Sequence, residues 1–195
     1  MTSAERKKAQ RAIVRARLAA LAPEEKAAAS ALIAAAVRSL PEWEAARTVA
    51  LYAPLASEPD WGGGRWPAQK RAALPRLLLD PGPPDVELRE AASLGHLVTV
   101  RTPQGWTLRE PGPDAPLVAP DEVGLVLVPG IAFDRDGKRL GRGGGFYDRL
   151  LARLPASACR VGLFFGNQEL AEVEAESHDR GLDLIVTEHE IIRLS

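Results

Sequence analysis

Only one of the 195 residues, Cys159, is a cysteine. A single thiol excludes an intramolecular disulfide framework and any multi-cysteine metal site, and it suits a reducing compartment. Between Ala158 and Arg160 it reads as a small apolar filler. Net charge is also missing. Against 25 Lys and Arg stand 26 Asp and Glu, a formal charge of −1, so no overall field draws the chain to nucleic acid or to an anionic membrane. Any charge function has to be local. No apolar run approaches the roughly 20 residues that cross a bilayer, and the charged N-terminus has no apolar stretch behind it to act as a secretory signal. A cytoplasmic protein is expected, with neither membrane nor nucleic acid as partner. Hydrophobic residues nevertheless make up 46% of the chain, enough for a packed core. The length is close to one domain on a prior of roughly 150 residues, so 1–195 is expected to form a single domain.

What is present falls into two periods. Across 3–21, Ile13, Val14, Leu18 and Leu21 recur at helical spacing, while Arg6, Lys7, Lys8, Arg11, Arg15 and Arg17 follow one another with no acid between them. This predicts a basic amphipathic helix. Pro23 suits the first turn of a second helix, with Glu24 and Glu25 at its positive end, running to about Leu40 and closed by Pro41. Beyond it the pattern predicts short strands at 48–53, 72–78, 86–89, 97–101, 125–128, 160–165, 182–187 and 190–194. LVLV from Leu125 and VGLFF from Val161 are continuously apolar, as strands covered on both faces are. The class is therefore α/β, with loops at 61–67, 80–84 and 111–120.

The densest signal is VPGIAFDRDGKRLGRGGGFYDRLL from Val128. A buried strand ends there, and Gly141, Gly143, Gly144 and Gly145 then lead into an amphipathic helix starting near Phe146. Successive glycine amides can turn inward and line an anion site, to which a helix N-terminus adds partial positive charge. Lys138, Arg139 and Arg142 surround the run, and guanidinium groups suit phosphate oxygens. The Walker A ending GK[ST] is missing, and GRGGGF does not satisfy G-x-G-x-x-G. The alternative is a solvated glycine hinge. Tyr147 and Asp148 are surface residues on that reading; on the first, Asp148 is placed to meet Mg²⁺ on a bound nucleotide.

The run PGIAFDRDGKRLGRGGGFYDR resembles the phosphate-loop signature of the 5-formyltetrahydrofolate cyclo-ligase family, also called methenyltetrahydrofolate synthetases. Similarity extends to Lys7 and Arg11, to Glu58 and Asp60, to Leu74, Pro75 and Arg76, to Trp106, Glu110 and Pro111, and to VGLFFGNQ and HDRGLDLIVTE near the C-terminus. The resemblance implies a single cyclo-ligase domain, a three-layer α/β sandwich with a mostly parallel central sheet and CoA-transferase-like topology. It implies ATP-dependent cyclisation of 5-formyltetrahydrofolate to 5,10-methenyltetrahydrofolate through a phosphorylated formyl group, with ADP and phosphate released; a monomer is expected. ATP would be bound by Lys7, Arg11, Arg139, Gly141, Arg142, Gly143, Gly144, Gly145, Phe146 and Tyr147. Tyr52, Glu58, Trp106 and Tyr147 would bind the folate, Asp148 and Asp179 would hold Mg²⁺ with Asp183 as a further carboxylate, and Lys7, Arg142 and Tyr147 are the implied catalytic groups.

From the residues alone, a solvated stripe is the preferred reading of Lys7 and Arg11, and only the family resemblance reverses it; ordinary packing is the alternative for Tyr52 and Trp106, and hydrogen-bonded structural roles are preferred for His96, His178 and His189. The chain departs from the family pattern between Glu58 and Pro75, where the usual amphipathic helix is missing, and at Gly144, where some members carry Lys. Two other readings follow. One is a relative that uses ATP on another small formyl or amide substrate; the other is a non-enzymatic nucleotide-binding module using the basic first helix.

Overall fold

The computed structural model describes residues 2–62, 66–67, 69–78, 85–102, 105–174 and 181–194. Helix α1 (Ser3–Ala20) starts on a capping box: the Glu5 N–H donates to the Thr2 hydroxyl, and the Thr2 N–H to the Glu5 carboxylate. Helix α2 (Pro23–Ser39) places Pro23 in its first turn, where the missing N–H has no partner to lose. Pro41 does more than stop α2. Leu40 is extended, and Pro41 opens a further short helix, α3 (Pro41–Ala45), that buries Trp43.

The rest of the chain is β1 (Thr48–Ala50), β2 (Arg71–Leu78), β3 (Asp85–Glu90), β4 (Val98–Arg101), β5 (Thr107–Glu110), β6 (Leu117–Val118), β7 (Leu125–Pro129), β8 (Ala132–Phe133), β9 (Arg139–Leu140), α4 (Phe146–Arg153), β10 (Cys159–Leu163), β11 (Leu184–Val186) and β12 (Ile191–Arg193). Eight strands make the main sheet in the order β12-β11-β10-β7-β1-β2-β3-β6. From β11 to β2 the pairing is parallel, while β12, β3 and β6 add antiparallel edges. The expected mostly parallel α/β sheet is therefore present, with β4–β5 and β8–β9 as separate hairpins.

Alternation along the central strands sets the layers. Val49, Leu125, Leu127, Val161 and Leu163 pack with Val14 and Leu18 of α1 and Ile33 and Val37 of α2. Ala50, Val126, Val128 and Ile185 face the other way and pack with Leu150 and Leu151 of α4. Both faces are covered, which is why these strands read as unbroken apolar runs.

The basic stripe of α1 turns outward onto residues 167–174. Arg17 Nη1 donates to the Glu169 carbonyl at 2.9 Å, Gln10 Nε2 to the Glu172 carbonyl at 2.8 Å, and Arg6 pairs with Glu174 at 2.7 Å. Other expectations are adjusted. β1 stops at Ala50, β5 was not anticipated, and β6 lies inside the expected loop 111–120. The expected loop 80–84 and residues 63–65 of the loop 61–67 lie outside the described residues. Among the described residues no helix is long and apolar enough to cross a membrane.

Candidate functional site

Parallel strands leave their ligand crevices outside their carboxyl ends, and a cleft opens there beyond β1 and β7. It offers about 900 Å³, counting the space open to solvent.

One wall is the glycine run. After β7 the β8–β9 hairpin returns the chain, Arg139 sits in β9, and the run Gly141, Arg142, Gly143, Gly144, Gly145 carries it into α4. Gly143 has φ +102° and Gly145, at the N-cap of α4, φ +64°. L side chains rarely adopt either conformation, which accounts for glycine there. The carbonyls of the run are tied from behind: Arg11 Nε donates to the Gly141 carbonyl at 2.8 Å and Arg149 Nη2 to that of Gly144 at 3.0 Å. Among the described residues, the N–H groups of residues 142–147 donate to no acceptor. Arg139, its side chain 4% exposed, pairs through Nη2 with Asp148 at 2.5 Å. Its Nε is buried and unpartnered, and its guanidinium lies 5.8 Å from the centre of the Tyr147 ring. Open amides and a buried cation with a spare donor form a cradle for an anion.

The other wall is aromatic and acidic. Tyr52 follows β1; its hydroxyl donates to the Pro59 carbonyl at 2.6 Å, and Trp61 Nε1 donates to the Tyr52 carbonyl at 2.7 Å. These bonds bolt the segment that carries Glu58. Glu58 Oε2 accepts from the Leu55 N–H at 3.1 Å, and Oε1 accepts from Arg142 Nε at 3.0 Å, with Arg142 Nη2 ion-paired to it at 2.9 Å. Trp106, at the tip of the β4–β5 hairpin, reaches the glycine run: its ring lies 3.4 Å from where a Gly144 side chain would begin. Burial pushes the Tyr52 phenol well above its usual range and the nearby Glu58 charge adds to this. Tyr147 moves the same way for the same reasons, partly offset by Arg139. Both remain neutral donors.

Tyr52, Glu58, Trp106, Arg139, Gly141, Arg142, Gly144, Gly145, Phe146, Tyr147 and Asp148 all line the cleft. Gly143 is exposed at the outer bend of the run, and Arg11 approaches it from α1. Lys7 is half-buried one turn earlier, where its charge acts on Glu174; it is not among the described residues lining the cleft. Asp179 and His178 lie outside the described residues. Asp183 accepts from the Arg160 N–H at 2.7 Å beside β10, His96 hydrogen-bonds Ser93 at 2.7 Å, and His189 lies 3.3 Å from Glu188. Burial raises the Cys159 thiol to about 11, so it is a poor nucleophile at neutral pH. Among the described residues, no three His, Cys, Asp or Glu side chains cluster as a metal site.

Glu110 was overlooked as a site residue. It lines the cleft and is 3% exposed; Oε2 accepts from the Leu77 N–H at 2.9 Å and Oε1 lies 3.0 Å from Arg76 Nη1. Burial raises its pKa. Its only sequence signal was the Glu-Pro pair within the family resemblance.

Residues 3–188 match the sequence profile of the 5-formyltetrahydrofolate cyclo-ligase family. Over 81 residues the chain is 42% identical to the 5-formyltetrahydrofolate cyclo-ligase of Mycolicibacterium smegmatis, covering 41% of this chain and 42% of that protein. Over 91 residues it is 37% identical to the Saccharomyces cerevisiae enzyme of the same name, covering 43% and 42%. The aligned chain thus spans about two fifths of the length of these relatives. The solved 5,10-methenyltetrahydrofolate synthetase of Aquifex aeolicus superposes with a TM-score of 0.80 at 31% identity, over 96% of this chain and 92% of that one. A synthetase from Mycoplasma pneumoniae shares the fold, with a TM-score of 0.68 at 24% identity over 93% and 98%.

Proposed function

Because the chain belongs to the 5-formyltetrahydrofolate cyclo-ligase family, we propose that it cyclises 5-formyltetrahydrofolate to 5,10-methenyltetrahydrofolate at the expense of ATP. The observation that carries this reading is one cleft with two unlike walls, an anion cradle facing a buried carboxylate among aromatic rings. The products are ADP and phosphate.

The formyl group on N5 is amide-like, and its oxygen is a poor leaving group. In the proposed route that oxygen attacks the γ-phosphorus and ADP departs. N10 then closes on the activated carbon, loses its proton, and phosphate leaves with the former formyl oxygen. Such chemistry rests on positioning and on electrostatic support for the transferring phosphoryl group. The amides of residues 142–147 and the Arg139 and Arg142 guanidiniums supply that support, with Arg11 bracing the run and Lys7 reaching the polyphosphate from α1. Glu58 accepts hydrogen bonds from pterin N–H groups, while Tyr52, Trp106 and Tyr147 enclose the ring.

A Mg²⁺ on the polyphosphate would neutralise charge and orient its oxygens. Such an ion takes only one or two protein carboxylates and fills its shell with phosphate and water. Asp148, on the cradle wall, fits as one; Asp179 is the second in this reading. We also place the protein in the cytoplasm as a monomer. The departure between Glu58 and Pro75 is what suggests the alternative formyl or amide substrate, but Trp61 and Trp66 border a separate hollow with Trp43 and Lys70 and not this cleft.

The test is an absorbance assay for methenyltetrahydrofolate with 5-formyltetrahydrofolate and Mg²⁺, with and without ATP. Product that depends on ATP is the expected result. No product, together with no binding of 5-formyltetrahydrofolate, overturns the reading.

A further inference from the structure

Glu58 and Arg142 belong to opposite walls and, in the proposed reaction, serve different substrates. Here each is the other's counter-ion: Arg142 donates to Glu58 Oε1 through Nε at 3.0 Å, its Nη2 lies 2.9 Å from the same oxygen, and Nη2 donates to Ser57 Oγ at 2.9 Å. We infer that this ion pair couples the two subsites, so that each substrate raises the protein's affinity for the other. The inference rests on the ligase reading and adds to it a thermodynamic link that neither wall supplies by itself.

The argument follows the charges. A phosphate entering the cradle competes with Glu58 for the Arg142 guanidinium, which suits phosphate oxygens bidentately. Drawing Arg142 away strips Oε1 of its partner on a side chain that is 5% exposed, and a buried carboxylate without its counter-ion is costly. Oε2 keeps the Leu55 N–H, so the carboxylate stays aimed while its other oxygen opens. The amino and ring N–H donors of a pterin then satisfy that oxygen. In the reverse order, a pterin on Glu58 releases Arg142 for the phosphate. Either substrate alone bears the whole cost of parting the pair, whereas together they share it. The coupling is therefore positive, and by linkage it is reciprocal.

The experiment is calorimetric titration of the full chain with adenylyl imidodiphosphate, an ATP analogue that does not transfer its terminal group. It is run in Mg²⁺ buffer with and without saturating 5-formyltetrahydrofolate. For the unaltered protein the analogue's Kd falls by about 5- to 150-fold when the second ligand is present, the usual range of coupling between sites. The reverse titration gives the same factor. In Glu58→Gln, which also loses the pterin's acceptor, the reading is taken without folate: the analogue alone binds more tightly than to the unaltered protein, because Arg142 is already released. Ser57→Ala loosens only one of the bonds on Arg142 and gives a smaller gain in affinity with a reduced factor. It carries the test by itself if Glu58→Gln does not fold.

A factor of one in the unaltered protein overturns the coupling, and so does an undiminished factor in Ser57→Ala or unimproved analogue affinity in either variant. Each of these leaves the ligase reading intact, because both ligands still bind. Failure of the unaltered protein to bind either ligand overturns the ligase reading and the coupling with it.

Discussion

The two walls of the cleft are built by opposite strategies. The cradle comes from one stretch, 139–148, threaded directly from the buried strand β9 of the β8–β9 hairpin into a core helix, with its backbone bound by Arg11 and Arg149. The facing wall is assembled from three stretches: 52–58 after β1, Pro75 and Leu77 in β2, and Trp106 to Glu110 on a hairpin outside the main sheet. A wall made by contiguous residues is as rigid as the elements it joins. A wall made by distant ones depends on side-chain contacts such as Glu110 with Arg76 and Leu77.

That contrast gives three substitutions with graded effects. Arg139→Ala strikes the cradle hardest. It leaves Asp148 without its partner, and urea unfolding should show a loss of about 3–5 kcal/mol, as for breaking a buried pair, together with loss of analogue binding. A loss below about 1 kcal/mol would show that the cradle is not held by that pair. Gly145→Ala comes next. Forcing a Cβ into its left-handed conformation should cost about 1–2 kcal/mol in the same assay and weaken the analogue's binding; unchanged binding would mean that the amides do not need this turn. Trp106→Ala is the mildest. It should raise the KM for 5-formyltetrahydrofolate roughly 2- to 10-fold, about 0.5–1.5 kcal/mol of ring contact, with the KM for ATP unmoved. A matching rise for ATP would show that the walls do not divide the labour.

The same contrast explains what could be read in advance. α1 and α2 announce themselves by helical periodicity and by Pro23, and β7 and β10 by apolar runs that need cover on both faces. The cradle was legible because its glycines, cations and helix start lie within a few residues of one another. β5 was not, because TLRE offers one apolar side chain and pairs only within a hairpin. Glu110 lacked any local sign of burial, since the contacts that bury it come from β2. The bond between Glu58 and Arg142 spans 84 positions, and no spacing rule reaches that far. Asp148 was identified as a carboxylate near the cradle, but its pairing with Arg139 depends on how β9 lies against α4.

The contacts of α1 with residues 167–174 have a consequence for biosynthesis. The ribosome makes that helix well before its docking strip, more than 150 positions ahead for Gln10, Arg17 and Arg6 alike. Until then α1 is a nascent helix whose polar face lacks its eventual acceptors. Contacts so far apart along the chain also slow folding in general. A ribosome stalled before residue 167 would therefore hold a chain whose first helix is not yet clasped, and proteolysis of such arrested chains should cut there more readily than in the finished protein.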